Sequence, residues 1–306
     1  MKRLAAAILL VLLAAAAAPT RVAAAPHEPL PPSGDSNLSS AQLLGAGRAL
    51  LMILAHPLVA AAVHDHSTFT KGNDSQRMQR FERTDSMVAG LMFGDSAQVE
   101  RAANAIRAVH SRVHGTLHAP AAGLPAGTPY AASDPDLLRW VLASFVDSMI
   151  VAHERISGRI SSEQKDRFTR AISKRVGKPV GVRGKDLFEN HDALQRYIKH
   201  MFESKTVQVT DTARSLATPI IDPPLPKPLG KLARATTLGL LQKELLAGFG
   251  VKRTRGDKAR FGVIRWIGGP LLGRVSLYTR KLQAGPFERA VIKTLRRVRP
   301  RRRRQR

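Results

Sequence analysis

Apolar and polar residues along this chain recur with the period of a helix. Residues 39–63 (SSAQLLGAGRALLMILAHPLVAAAV) are too apolar for a surface helix and predict a buried helix or helix pair, bent near Pro57. Arg48 and His56 lie inside this run, which favours protein core over a membrane span. Residues 75–94 begin polar and turn apolar. Residues 99–115 (VERAANAIRAVHSRVHG) predict one amphipathic helix. At about 100° per residue, Val99, Ala103, Ile106, Val109 and Val113 fall on one face, with His110 near its middle. Asp95 or Ser96 can cap its start and Gly115 can end it. A loop rich in Pro, Gly and Ala covers 116–136. Asp134-Pro135 then starts a helix whose core face is Leu137, Leu138, Val141, Phe145 and Met149. Further helices are expected at 162–176, 186–202 and 232–249, with Gly181 and Gly184 in a turn and a second proline-rich loop at 207–228. Residues 263–278 are again apolar and carry Trp266. No strand-like alternation longer than a few residues occurs, and no internal repeat. The expected fold is all-α, a single multi-helix globular domain of about eight to ten helices.

Composition narrows the chemistry. The 306 residues include no cysteine, which excludes disulfides, thiolate catalysis, Cys-ligated haem, iron–sulfur clusters and Cys-based zinc sites. The formal net charge of +26 is uneven: residues 226–306 hold 23 Lys/Arg against Glu244, Asp257 and Glu288. The basic character therefore belongs to the C-terminal part and speaks of its surroundings. At the other end, Lys2, Arg3, the apolar run 4–18 and Ala23-Ala24-Ala25 before Pro26 read as a signal peptide or N-terminal anchor over 1–25. The run is shorter than the ~20 residues of a membrane-spanning helix. Residues 26–37 form a Pro-rich linker, 38–295 the helical domain, and 296–306 an Arg-rich tail with eight arginines and no acid. An exported or membrane-associated chain follows from a true signal, a cytoplasmic one otherwise.

Three groups of residues are candidates for function. A histidine in an apolar stripe must satisfy two ring nitrogens away from water. His110 is therefore either a core histidine bonded to a carbonyl or a metal or haem ligand, since neutral imidazole is the commonest metal ligand. His114 and His56 are the alternatives. His64-Asp65-His66 contains a His-x-His pair, but no further ligands follow at a recognisable spacing, so a polar loop is the simpler account. Arg80, Arg83 and Thr84 stand at i, i+3 and i+4 and share a helix face. They make either an anion site or a solvated face paired with Glu82 or Asp85.

Four blocks, in order, resemble the DUF2236 family, which includes the rubber oxygenase (latex clearing protein) catalytic domain and the MpaB-type oxygenases. They are GAGRALLMILAHPLVAAAVHDHS (45–67), RFERT (80–84), VHSRVHG (109–115) and YAASDPDLLRWVLAS (130–144). The likeness runs from about residue 45 to 295. It implies an all-helical oxygenase dependent on haem b, in which one histidine holds the iron and nearby Arg, Lys and Thr matter. By motif, His110 matches the iron ligand, and Arg80, Arg83 and Thr84 match the family's Arg, Lys/Arg and Thr. The arginines suit haem propionates and Thr84 a polar distal role. The family's catalytic carboxylate falls near His64 or Asp65. Leu142 stands where the family often has histidine, and Ala61-Ala62-Val63 lacks the family's glycine. The implied partners are O2 and a small apolar substrate, an alkene or isoprenoid. The contrasting class is a non-enzymatic helical protein whose basic C-terminal region binds anionic lipid or nucleic acid. An export signal argues against nucleic acid.

Overall fold

The computed structural model describes residues 35–67, 84, 87–88, 90–92 and 94–281, with side chains at its two ends described from Leu44 and up to Gly268. The signal-like segment 1–25, most of the linker, Arg80, Arg83 and the 296–306 tail lie outside the described residues.

Helices α1 (Asp35–Leu54) and α2 (Pro57–His66) form the apolar pair expected from the sequence, bent by 104° at the break before Pro57. Proline at the first helical position cannot continue the ladder of α1 but pre-sets α2. Arg48 and His56 are both buried inside protein. No single helix among the described residues is long and apolar enough to cross a membrane, although the bent pair passes on length and composition.

Helix α4 (Pro135–Ile156) is the central element. Asp134 caps it by accepting a bond from the Asp136 amide at 2.8 Å, as its sequence predicts. Its buried surface is wider than one face, however. Trp140, Leu142, Ala143, Val146 and Ile150 are buried, while Val141 and Phe145 are only half-buried. Neighbours pack on several sides of α4, so its pattern is that of a buried helix and not of a surface stripe. Helix α1 lies antiparallel against it at backbone distance: a Cβ on Gly45 would meet the Ser148 carbonyl oxygen at 2.8 Å.

Helix α5 (Ser162–Ile172) runs back along α4, tied by Lys165 to Glu154 at 2.8 Å, and passes through a π-helical turn, Ser173–Gly177. The sequence suggested one helix over 162–176. Gly177 explains why the turn can sit so close to α4, because a Cβ there would strike Leu142 at 2.6 Å. Helix α6 (His191–Glu203) begins later than expected, since Asn190 caps it and Gly184–Asp186 is a separate 3-10 turn. The expected loop 207–228 contains a helix, α7 (Asp211–Ile221), started by Thr210 and able to hold Pro219 near its end. The expected helix 232–249 is two: α8 (Lys227–Leu240) and α9 (Lys243–Gly248). Helix α10 (Arg255–Lys281) completes the fold. The architecture is all-α, with one small hairpin.

That hairpin corrects the reading of residues 99–115. Helix α3 (Ser96–His110) opens with a capping box between Asp95 and Gln98 and ends at His110, not Gly115. Residues His114–Thr116 form strand β1, antiparallel to β2 (Pro129–Ala131), with Gly115 opposite Tyr130. Val109, expected on the buried face, is 54% exposed. The face that packs on the core is Val99, Ala102, Ala103 and Ile106. A three-residue strand is too short for alternation to reveal it.

Candidate functional site

Three of the four resembling blocks meet at one end of the molecule. The C-terminal turn of α2 supplies His64, Asp65 and His66, and the hairpin supplies His114, Gly115 and Tyr130. Tyr130 is buried and donates its hydroxyl to Asp65 Oδ2 at 2.5 Å. His64 Nδ1 lies 3.0 Å from Asp65 Oδ1 and His118 Nε2 lies 3.3 Å from Oδ2. His66 Nε2 sits 3.1 Å from the His114 carbonyl oxygen and 3.3 Å from the Tyr130 hydroxyl, with the two rings edge to face. The geometry explains the glycine of the third block: a Cβ on Gly115 would meet the Tyr130 Oη at 2.5 Å and Cζ at 2.8 Å. Only glycine lets the phenol lie across β1 and reach Asp65.

Electrostatics follow from this packing. Burial opposes ionisation of Asp65, but hydrogen bonds from Tyr130 and His64 and the nearby His118 and His64 charges outweigh it and hold the carboxyl below its usual value. Burial, then the bond to Asp65, pushes the Tyr130 phenol above its ordinary range. At neutral pH the pair is therefore a carboxylate and a neutral phenol.

His110 ends α3, and its carbonyl accepts from the Val113 amide at 3.1 Å, so it is joined directly to β1. The ring is half-buried, and Nδ1 is buried without a hydrogen-bond partner. Burial lowers its pKa, so the imidazole is neutral at pH 7 with a lone pair available. Of the alternatives, His114 is exposed and contributes its backbone. His56 is buried at the α1–α2 bend, its Nδ1 also unpartnered and its pKa pushed down by burial to about 4. Thr84 is exposed on a helical residue.

Among the described residues, no group of three or more His, Asp or Glu side chains is placed to hold a metal ion. The His-x-His pair is spent on hydrogen bonds around Asp65 and Tyr130. One unprotonated imidazole with a free ring nitrogen is the donor that a haem b would take from this chain. Leu142, where the family often has histidine, is a buried filler against Gly177.

Sequence reasoning missed Tyr130 as a site residue. Its signal was the tyrosine that opens the fourth block, but nothing local ties it to Asp65. A second polar cluster was also missed. Arg48 donates to Asp147 Oδ2 at 2.5 Å, Ser148 Oγ at 2.7 Å and the Leu240 carbonyl oxygen at 3.2 Å, all buried. Gln195 donates to the other Asp147 oxygen at 2.7 Å. These bonds tie α1, α4, α6 and the end of α8 together, below the bend that carries α2 to the site.

A family model described as "ER-bound oxygenase mpaB/B'/Rubber oxygenase, catalytic domain" matches residues 37–269. The chain belongs to this family. The match spans the described fold from α1 into α10 and supports an oxidoreductase of the oxygenase type. No curated protein and no solved structure gives a match.

Proposed function

We propose that the chain is a haem b-dependent oxygenase that uses O2 on an apolar substrate, of alkene or isoprenoid class, with His110 as the iron ligand. One observation carries this: a neutral, half-buried imidazole with an unpartnered ring nitrogen ends the helix that leads into the hairpin whose buried phenol holds an ionised carboxylate. Bound haem would supply O2 activation. The chain's own residues do the rest. His110 offers the ligand, kept unprotonated by burial. Asp65 is the group able to take a proton from the substrate, and Tyr130 fixes its orientation from below. Asp65 thus answers to the carboxylate that the family resemblance places near residues 64 and 65. By motif, Arg80 and Arg83 would hold the haem propionates and Thr84 would offer a polar contact beside the group.

The test is the Soret spectrum of wild-type protein and His110→Ala. Wild type should show a band near the usual ~400 nm of protein-bound haem, and the variant should lose it or change its axial ligation. Equal haem binding with unchanged ligation overturns the assignment and moves it to His114 or His56.

We also propose that residues 1–25 direct export and that the 296–306 tail holds the enzyme at an anionic lipid surface, where an apolar substrate dissolves. Each arginine near such a surface contributes about 1 kcal/mol, within a Debye length of about 8 Å at physiological salt. Deleting 296–306 should weaken salt-sensitive co-sedimentation with anionic vesicles and leave haem content unchanged. Equal binding by the truncated chain would show that the tail is only a solvated end.

A further inference from the structure

We propose that the end of the domain where α4 meets α10 is a docking surface for an anionic lipid membrane, with Trp266 entering the headgroup layer. This surface is separate from the haem proposal and from the arginine tail. Helix α4 has 22 residues and runs about 33 Å, from the hairpin at its start to this surface at its end.

Helix α10 docks through one face. Phe261 and Ile264 are buried against Ile156 and Leu232, and a Cβ on Gly268 would meet Ile156 at 2.5 Å. The opposite face leaves Trp266 80% exposed, far more than any other large apolar side chain described. An open cleft of about 450 Å³ lies beside it, lined by Arg155, Ser157, Gly158, Gly262, Arg265 and Trp266 among others. Its one carboxylate, Glu154, is committed to Lys165 at 2.8 Å. Arg265 spends one of its five N–H donors on the Arg155 carbonyl at 3.1 Å. Arg253 stands close enough to Arg155 for the like charge to add to burial in lowering its pKa. Among the described residues, the cleft is therefore lined by two arginines, Arg155 and Arg265, with no acid paired to them. The sequence continues the theme: Lys258, Arg260, Arg265, Arg274, Arg280 and Lys281 occur before the next acid, Glu288.

Tryptophan flanked by arginine is the pattern of the membrane interface, where an indole sits at headgroup level and guanidiniums meet phosphates. The apolar residues of α10 continue past it at Leu271, Leu272, Val275 and Leu277. A single-stranded nucleic acid would also stack on Trp266, but such grooves present several aromatic platforms in series. Among the described residues, Trp266 is the only aromatic one lining this cleft.

The chain's two tryptophans make the test direct. Trp140 is fully buried and bonded to the Met52 carbonyl at 3.2 Å, so a lipid-dependent change in emission wavelength reports Trp266. Full-length protein is titrated with phosphatidylcholine vesicles with and without phosphatidylserine. The expected result is a blue shift and loss of acrylamide access with phosphatidylserine only. Trp266→Ala should abolish the shift and weaken co-sedimentation several-fold. Removing residues 296–306 should leave the shift in place, which separates this surface from the tail. Unchanged acrylamide access on vesicles that bind the protein overturns the proposal, as does an equal shift with phosphatidylcholine alone. A shift with a single-stranded oligonucleotide and none with vesicles assigns the surface to nucleic acid instead.

Discussion

Asp147→Ala should be among the most damaging single substitutions in this fold. Asp147 is 5% exposed and is, among the described residues, the sole carboxylate bonded to Arg48, itself 3% exposed. The variant leaves a buried guanidinium with only neutral acceptors: Ser148 Oγ, Gln242 Oε1 and the Leu240 carbonyl. It also strips Gln195 of its acceptor. Breaking one side of a buried pair costs about 3–5 kcal/mol, because the remaining charge has lost its counter-ion but not its desolvation penalty. That is a large part of the ~5–15 kcal/mol available to a domain. At about 2–4 °C per kcal/mol for a domain of this size, the thermal midpoint should fall by roughly 6–20 °C. The control is Arg48→Met with Asp147→Leu, which removes both charges at similar volume and should recover most of the loss. Circular dichroism melts at neutral pH decide it. A single variant costing under about 1 kcal/mol, or a double variant no better than the single, would refute the placement of this pair as a buried tie.

Two further outcomes are expected. Gly115→Ala should cost about 1–3 kcal/mol by overpacking against the Tyr130 ring, seen as a lower melting temperature, and should raise the Asp65 pKa as the phenol is displaced, seen by carboxyl titration. Stability should fall as pH drops from about 6.5 toward 4. His56 has a folded pKa near 4 against 6.5, so the unfolded chain binds its proton first, and the shift corresponds to about 3 kcal/mol at 1.36 kcal/mol per unit. His110, His153 and His191 are shifted in the same direction. His56→Leu should flatten that acid limb in pH-dependent melts, and an unchanged limb would remove His56 as its main source.

What the sequence disclosed and what it hid divide along a physical line. Local signals were readable: the Asp134 cap with Pro135 behind it, the bend at Pro57, the apolar length of α1. Each depends on residues within a few positions of one another. The Asp65–Tyr130 bond joins residues 65 apart in the chain, and no periodicity encodes such a meeting. The end of α3 was hidden for a related reason. Val109 and Val113 carry a helical spacing across the chain that leaves α3, and only the pairing of Gly115 with Tyr130 makes His114–Thr116 a strand. Helix α7 was hidden by Pro219, which sits inside it and removes one backbone hydrogen bond to Ser215.

The early end of α3 also changes the chemistry expected of His110. A histidine in mid-helix would differ little from any core histidine. The carbonyls of residues 107–110 already accept from Ser111, Arg112 and Val113, so at the last position of α3 the ring meets only the negative end of the helix dipole, which favours imidazolium by about 0.3–1 kcal/mol. Burial acts in the opposite sense and prevails, since the pKa is lowered. The result is a ring that is neutral although it stands where a cation is favoured, with one buried nitrogen left without a partner. A structural histidine at such a terminus is stabilised by taking up a proton and bonding the carbonyls of the last turn. His110 does neither, and an imidazole kept neutral with Nδ1 unpartnered is what the proposed iron ligation requires.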